Sequence, residues 1–214
     1  VQDEGSQLVC LALDRVSTPD GPWLDLCAGP GGKSALLAGL ARRRGEYLVA
    51  NEVAAHRAEL VEKALAVYPP GTVNVICSDG RDSEPVRARR PFARIMVDAP
   101  CSGLGALRRR PEARGRRTPD DVAELVLLQR ALLKTAIGLL TPGGVVAYVT
   151  CSPHADETTG VVEAVMADFP DLKLLDASSL LPEVPNATRR GCVQLWPHRH
   201  GTDAMFLALL RCMS

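Results

Sequence analysis

Two cysteines stand in turns that follow apolar segments, and their thiols could carry nucleophilic chemistry. Cys101 lies in the turn DAPCSG at 98–103, and Cys151 lies in TCSP at 150–153. A thiolate is a strong nucleophile, and a second thiol nearby can move a proton. A single free cysteine is more often a small buried apolar residue, but two cysteines in such turns favour a reactive pair.

One reaction that such a pair could serve is methylation of a cytosine at C5. The C5 carbon is a weak nucleophile, and addition of a thiolate at C6 makes it react like an enamine. Loss of the C5 proton and elimination of the thiolate then restore the ring. The chemistry also requires an acid at the N3 edge of the base, a proton acceptor and a methyl donor.

Polar or nucleophilic residues end five of the predicted strands, although the strands themselves are aliphatic. These residues are Cys27, Glu52, Asp79, Asp98 with Cys101, and Cys151. In parallel α/β sheets the ligand binds beyond the carboxyl ends of the strands. Glu52 follows a glycine-rich turn by about 20 residues, where an acid can bind both hydroxyls of a ribose. Asp79 could accept an adenine amine, and the alternative is that each acid caps the turn that follows it.

The glycine-rich turn lies in the segment LDLCAGPGGKS at 24–34. The phosphate-loop pattern G-x-x-x-x-G-K-[ST] fails here, because position 27 is a cysteine. The dinucleotide pattern G-x-G-x-x-G fits Gly29 and Gly31 but meets Ser34 in place of its third glycine. NAD and S-adenosylmethionine (SAM) both stay open, since both contain adenosine. A βα turn without a ligand is the remaining alternative.

Composition limits the possible partners of this chain of 214 residues. Apolar residues make up 46% and aromatic residues 4%, so we expect an aliphatic core in one domain. The formal net charge is zero, but segment 81–117 holds eleven arginines and no lysine against four acids. This local excess of seven positive charges indicates an anionic partner.

The seven cysteines are widely spaced and form no C-x-x-C pair, which argues against a disulfide framework or a zinc site. Free thiols are typical of a reducing compartment, so we expect a cytoplasmic protein. The four histidines suggest no metal site. No apolar run approaches the roughly 20 residues that a membrane span requires, and no signal peptide is visible.

Strand-like and helix-like segments alternate along the chain, which predicts an α/β fold with helices on both faces of a mostly parallel sheet. Seven strands are predicted, at 23–27, 47–52, 72–77, 92–97, 145–150, 172–175 and 204–210. The last strand follows a loop at 180–202 without an intervening helix, so we expect it to be antiparallel. Residues 1–214 are predicted to form a single domain, with a lead-in helix within residues 1–20.

Nearly the whole chain resembles the RsmB/NSUN family of RNA cytosine-5 methyltransferases, in particular its bacterial ribosomal RNA members. The likeness lies in VQDEGSQ (1–7), LDLCAGPGGK (24–33), SDGR (78–81), DAPCSG (98–103), RRPE (109–112), TCS (150–152) and GTD (201–203). The resemblance implies a Rossmann-like SAM-dependent methyltransferase fold. It also implies methyl transfer from SAM to C5 of a cytosine in RNA, expected to be ribosomal RNA, through a covalent cysteine–C6 adduct.

The same resemblance implies a role for each matching residue. Cys151 would attack C6, and Cys101 would assist release of the enzyme from the methylated product. Asp98 would bind the cytosine edge between cofactor and base, and Lys33 would lie near the reacting centre. Glu52 would bind the ribose of SAM. The full set implied in SAM binding is Cys27, Ala28, Gly29, Pro30, Gly31, Gly32, Lys33, Glu52, Arg57, Asp79 and Asp98.

The sequence departs from the family pattern at two positions in the expected SAM site. Alanine is commoner in the family than the glycine at Gly29, and many members have aspartate where this chain has Glu52. Bacterial relatives often carry an N-terminal RNA-binding domain, so we expect this chain to be the catalytic domain alone.

RNA is the expected partner, and an arginine-rich loop could contact its phosphates. The candidate residues are Arg108, Arg109, Arg110, Arg114, Arg116 and Arg117. Two other functions stay open from the residues themselves. One is an NAD(P)-dependent Rossmann oxidoreductase, and the other is a non-catalytic RNA-binding domain with the same fold.

Overall fold

The computed structural model describes residues 2–89, 91–115 and 117–213, and within them nine strands form one sheet. The strands are β1 (Trp23–Asp25), β2 (Leu48–Glu52), β3 (Val73–Cys77), β4 (Phe92–Asp98), β5 (Leu140–Thr150), β6 (Leu172–Leu175), β7 (Thr188–Arg189), β8 (Cys192–Gln194) and β9 (Phe206–Cys212). The helices are α1 (Glu4–Arg15), α2 (Gly32–Arg43), α3 (Ala55–Leu65), α4 (Glu84–Arg87), α5 (Pro119–Ile137), α6 (Thr159–Asp168) and α7 (Pro197–His200).

The sheet has the order β3-β2-β1-β4-β5-β9-β8-β7, and β6 also pairs with β9. Strands β1 to β5 are parallel, and β9 runs antiparallel to β5 as predicted. The chain builds outwards from β1 to β3 and then returns to the other side of β1 with β4. The carboxyl ends of β1 and β4 therefore form the switch point at which such sheets bind ligands.

The apolar core lies on both faces of the sheet. Neighbouring strand residues point to opposite faces, so Trp23 packs with α1, α2 and α3 while Leu24 packs with α5 and α6. Met96 and Ile95 on β4 divide in the same way. Burial on both faces explains why the strands read as continuous aliphatic runs.

The predicted α/β fold is correct, but the predicted number of seven strands is wrong. The two additional strands, β7 and β8, form a hairpin inside the segment 180–202 that was predicted to be a loop. Their two-residue turn has positive φ at both Arg190 (51°) and Gly191 (80°). Such turns match the twist of paired strands, and their usual sequence signal is Asn-Gly or Asp-Gly. Arg-Gly does not carry that signal.

Strand β5 also begins earlier than predicted. It was expected at 145–150, but it begins at Leu140, and α5 ends at Ile137. Residues 141–144 lie inside the strand as an irregularity, because Phe92 pairs with Leu140 whereas Arg94 pairs with Val145. The Pro-Gly-Gly segment at 142–144 is typical of a turn, but here it is part of a strand that pairs with β4.

A buried carboxylate joins the end of β1 to the start of α2. Ser34 Oγ donates to Asp25 Oδ2 at 2.7 Å, and Asp25 Oδ1 has no hydrogen-bond partner among the described residues. Burial raises the pKa of Asp25 from 3.8 to about 7, and the Ser34 hydrogen bond opposes that shift. This contact fixes the two ends of the glycine-rich turn that faces the site.

We predict that Asp25→Asn makes the free energy of unfolding less dependent on rising pH. Because the pKa of Asp25 is higher in the folded state, its favourable contribution is complete below about pH 4 and is lost as the pH rises through about 7. The wild type should therefore lose up to roughly 4 kcal/mol of unfolding free energy relative to Asp25→Asn over this range. Urea unfolding at a series of pH values measures the difference. A constant difference between the two proteins would contradict the prediction.

Candidate active site

A cavity of about 1130 Å³ opens at the carboxyl ends of the parallel strands. All four predicted catalytic residues line it, namely Lys33, Asp98, Cys101 and Cys151. It is also lined by most of the predicted SAM-binding residues, which include Cys27, Gly29, Pro30, Glu52, Arg57 and Asp79. Residues from the ends of β1, β2, β4 and β5 thus meet in one space, as the sheet topology requires.

Three residues of the predicted SAM site do not line the cavity. Ala28 and Gly31 instead close the turn, since Gly31 N donates to the Ala28 carbonyl oxygen at 2.8 Å. Gly31 has φ +103°, and a side chain there would meet Ala64 Cβ at 2.8 Å, so both conformation and space require glycine. Gly32 begins α2. These three residues shape the turn behind the cavity wall.

The two cysteines predicted to react form a close pair. Their sulfur atoms are 3.3 Å apart although 50 residues separate them in sequence. A hydrogen bond from Cys101 lowers the pKa of Cys151, and the same bond raises the pKa of Cys101. Cys151 is therefore the thiol that ionises more readily, and Cys101 is its proton-bearing neighbour.

Lys33 and Asp98 form an ion pair on the same cavity wall, with Nζ and Oδ2 2.8 Å apart. Burial alone lowers the pKa of Lys33, but the charge and hydrogen bond of Asp98 outweigh it, and the net pKa lies above its ordinary value. Lys33 is therefore a fixed cation beside the thiols rather than a proton acceptor. Asp98 keeps acceptor capacity for a second donor, because a carboxylate has about four lone-pair sites.

Glu52 is buried at the end of β2 and already holds the glycine-rich turn. Its Oε2 accepts from Gly29 N and its Oε1 accepts from Ala54 N, each at 3.0 Å. Arg57 lies 3.4 Å from Glu52 and donates to the Gly29 carbonyl oxygen at 2.6 Å. Gly29, Glu52 and Arg57 form one wall of the cavity. Glu52 keeps lone pairs for the two hydroxyls of a ribose.

The two departures from the family pattern at this wall, Gly29 and Glu52, occupy neighbouring volumes. A Cβ atom at Gly29 would overlap Glu52 Oε2 and would lie 2.7 Å from Arg57 Nε. Because glutamate is one methylene longer than aspartate, it fills the volume that an alanine at position 29 would use. Glycine at 29 and glutamate at 52 therefore fit together as a pair.

Asp79 lies at the cavity but is engaged by a neighbouring arginine. Arg81 binds both carboxylate oxygens, with contacts of 3.0 Å from Nε and 2.5 Å from Nη2. These hydrogen bonds lower the pKa of Asp79 below its usual value. An adenine amine would share this carboxylate with Arg81, a residue that the sequence interpretation did not include. Cys27 also lies here, and burial raises the pKa of its thiol, so it is not a second nucleophile.

A buried polar network behind the cysteines was missed by the sequence interpretation. Glu157 is fully buried and accepts hydrogen bonds from Ser102, Ser152 and Gln129. Ser102 and Ser152 directly follow the two cysteines that are predicted to react. The repeated Cys-Ser dipeptide was the sequence signal for this network. Only the fold places Glu157 where it can accept from both serines.

Two exposed arginines of the arginine-rich loop form ion pairs with buried carboxylates. Arg108 donates to Asp3 at 3.0 Å, and Arg109 binds both oxygens of Asp203 through Nε at 3.0 and 3.1 Å. Because Asp203 N in turn donates to Asp3, these arginines tie the loop to one pair of adjacent acids. Arg116 lies outside the described residues.

Several arginines of the loop line cavities. Arg110 and Arg117 line the main cavity together with Arg109, and Arg114 joins Arg117 in a neighbouring cavity of about 650 Å³. Arg130 on α5 also lines this second cavity, and sequence interpretation missed it. Its Nε atom is buried without a hydrogen-bond partner in the part of the chain that the structure describes.

Within 2–89, 91–115 and 117–213, no group of three or more His, Cys, Asp or Glu side chains is arranged to hold a metal ion. Across those same ranges, no helix combines the length and the apolar composition that crossing a bilayer demands.

Comparison with known families identifies the family of this chain. The family model for the 16S rRNA methyltransferase RsmB/F matches residues 11–211. The chain belongs to the RsmB/F family. This assignment confirms the resemblance and the expected cofactor, SAM, and it argues against the oxidoreductase alternative.

Individual relatives of this RsmB/F domain agree with the assignment. A Mycobacterium tuberculosis protein named as a methyltransferase is 54% identical over 99% of this chain and 45% of its own length. Ribosomal RNA small subunit methyltransferase B of Sodalis glossinidius is 36% identical over 97% of this chain and 45% of its length. The chain therefore spans less than half of these relatives.

A solved structure shows the same fold. NSun6 from Pyrococcus horikoshii, crystallised with SFG, matches with a TM-score of 0.83 and 26% identity. The match covers 100% of this chain and 53% of that one. The Rossmann-like methyltransferase fold is thus confirmed for the RsmB/F domain.

We predict that Gly29→Ala weakens SAM binding by about tenfold or more, because its Cβ displaces the Glu52 carboxylate and Arg57. The double variant Gly29→Ala/Glu52→Asp should recover most of the lost affinity, since the shorter acid vacates the overlapping volume. Titration calorimetry with SAM measures both, and thermal melting checks that each variant is folded. Equal affinities of the single and double variants would exclude the spatial coupling.

Proposed function

We propose that this RsmB/F domain transfers a methyl group from SAM to C5 of a cytosine in ribosomal RNA through a covalent Cys151–C6 adduct. The observation that carries the proposal is the thiol pair at 3.3 Å, in one cavity with the Lys33–Asp98 ion pair. A second thiol that hydrogen-bonds the first serves a reaction in which a thiolate both attacks and leaves.

The residues at the cavity fit SAM. The glycine-rich turn lets a ligand approach its backbone, and the buried Glu52 carboxylate suits a ribose at the end of β2. Asp79 and Asp98 both line this cavity, and we assign Asp79 to the adenine amine and Asp98 to the region where the cofactor meets the base. When bound, SAM supplies an electrophilic methyl group on a sulfonium.

The side chains then account for each change at the base. The Cys151 thiolate forms a bond to C6, and C5 takes the methyl group with its bonding electrons supplied by the ring. Loss of the C5 proton to a base and cleavage of the S–C6 bond restore the ring and return the Cys151 thiolate. Cys101 donates a hydrogen bond to that leaving thiolate, which explains a role in release. Asp98 orients the base by accepting from its exocyclic amine.

The substrate and compartment follow from the same chemistry. Relatives named as ribosomal RNA small subunit methyltransferases support ribosomal RNA as the substrate. Both reactive thiols, Cys101 and Cys151, are free and must stay reduced, so we place the domain in the cytoplasm. Arg110, Arg114 and Arg117 are our candidate phosphate contacts, and these contacts would help to offset the cost of flipping the cytosine.

We predict that Cys151→Ala abolishes formation of 5-methylcytosine, with a fall of at least about a hundredfold. Cys101→Ala should instead accumulate a covalent enzyme–RNA adduct, because the leaving thiolate loses its hydrogen-bond donor. Mass spectrometry of ribosomal RNA incubated with enzyme and SAM measures the product, and denaturing gels measure the adduct. Full activity of Cys151→Ala would refute the mechanism.

The same experiment separates the other functions. RNA binding without any methyl transfer, on ribosomal RNA and on its assembly intermediates, would indicate a non-catalytic binding domain. Calorimetry with NAD in place of SAM is the control for cofactor identity.

A second prediction concerns the arginines. Arg117→Gln should weaken RNA binding to a similar extent for different sequences and lower the salt-dependence slope by about 1, because it removes a phosphate contact. Arg109→Gln should instead lower the melting temperature, since Arg109 pairs with the buried Asp203. Filter binding at several salt concentrations tests the first variant. An unchanged slope for Arg117→Gln would remove it from the RNA interface.

A further inference from the structure

Glu157 lies in the turn between β5 and α6 and is fully buried, away from the cavity surface. Its Oε1 accepts from Ser102 N at 2.7 Å and from Gln129 Nε2 at 3.1 Å. Its Oε2 accepts from Ser102 Oγ at 2.5 Å and from Ser152 Oγ at 2.7 Å. All four donor groups, which belong to three residues, are neutral, and each donates to a side-chain oxygen of Glu157.

The donors of Glu157 come from three different segments. Ser102 follows Cys101 after β4, Ser152 follows Cys151 after β5, and Gln129 lies on α5. Gln129 Nε2 also donates to the Pro100 carbonyl oxygen at 2.9 Å. One carboxylate therefore joins both cysteine turns to each other and to the helix behind them.

The hydroxyl group of Tyr148 also contacts this network. Tyr148, on β5, donates to the Glu157 carbonyl oxygen at 2.8 Å and lies 3.2 Å from Gln129 Oε1. Burial of a carboxylate is costly unless its hydrogen bonds are made, and an apolar side chain would fill a purely structural position at lower cost. Because Glu157 lies between the two cysteine turns, a role in positioning them explains why a carboxylate is buried there.

We propose that Glu157 is a positioning residue that holds Cys101 and Cys151 in contact by accepting hydrogen bonds from the serine after each of them. The inference extends the proposed function, because it assigns how the two thiols reach their working separation. It predicts that removal of the acceptor lets the two turns move apart, so Cys151 loses the hydrogen bond from Cys101.

The first test needs neither RNA nor SAM. We expect Glu157→Leu to slow alkylation of Cys151 by iodoacetamide on the order of tenfold, because the hydrogen bond that favours the thiolate is lost. Glu157→Gln should stay within about threefold of the wild type, since its amide oxygen can replace Oε1 and both serine hydroxyls can rotate to accept. Peptide mass spectrometry separates Cys151 from the other cysteines.

Glu46→Leu is the matched control for loss of a buried acceptor. Glu46 accepts from Gly21 N at 2.9 Å and from Trp23 Nε1 at 2.6 Å, at the opposite end of β1 from the cavity. It should lower thermal stability while leaving Cys151 alkylation unchanged. An equal slowing in Glu46→Leu and Glu157→Leu would overturn the positioning role.

Serine variants test the same role if Glu157→Leu does not fold. Ser152→Ala removes the link to the Cys151 turn, so we expect slower adduct formation with RNA. Ser102→Ala weakens the link to the Cys101 turn, so the adduct should persist longer after methyl transfer. A merely structural role would lower both rates in proportion to stability, and that result would count against the proposal.

The outcomes separate this inference from the proposed function. Unchanged Cys151 alkylation in folded Glu157→Leu would overturn the role of Glu157, whatever the RNA products. Slower alkylation in Glu157→Leu, with no 5-methylcytosine made by the wild type, would support the role of Glu157 and refute the proposed reaction.

Discussion

The pairing of β4 with β5 is the constraint on which the site depends. Asp98 pairs with Val149, and Ala99 N donates to the Val149 carbonyl oxygen at 2.9 Å. Both chains then leave the sheet in the same direction, so the Cys101 turn and the Cys151 turn start side by side. In a parallel pair this register is set by backbone hydrogen bonds along the strands, and a shift of one residue would separate the thiols.

Buried acids at strand ends convert that sheet into a shaped cavity. Asp25 holds the start of α2, Glu52 holds the glycine-rich turn, and Glu157 joins the two cysteine turns. Glu52 and Glu157 each accept donors from more than one segment, so each fixes loop positions that apolar packing alone would leave variable. The walls of the cavity that holds the two thiols share these acceptors.

Part of the positive charge of the arginine-rich loop is neutralised by ion pairs within the domain. The arginine-rich loop suggested one basic surface, yet Arg108 and Arg109 neutralise the buried Asp3 and Asp203. The other described arginines of the loop, like Arg109, stand beside the cavities. A count of arginines overestimates the charge offered to a partner, because an ion pair with a carboxylate cancels the charge of an arginine even where its side chain is exposed.

The sequence by itself determined the α/β class, the strand ends that carry the site, and the pair of cysteines, because these depend on local periodicity and on residue chemistry. It could not supply the β7–β8 hairpin, whose Arg-Gly turn lacks a local signature. It also could not supply Glu157, the fit of Gly29 to Glu52, or the ion pairs of Arg108 and Arg109. Each of these joins residues distant in sequence, and only the tertiary structure decides such contacts, since register and packing set which side chains share a volume.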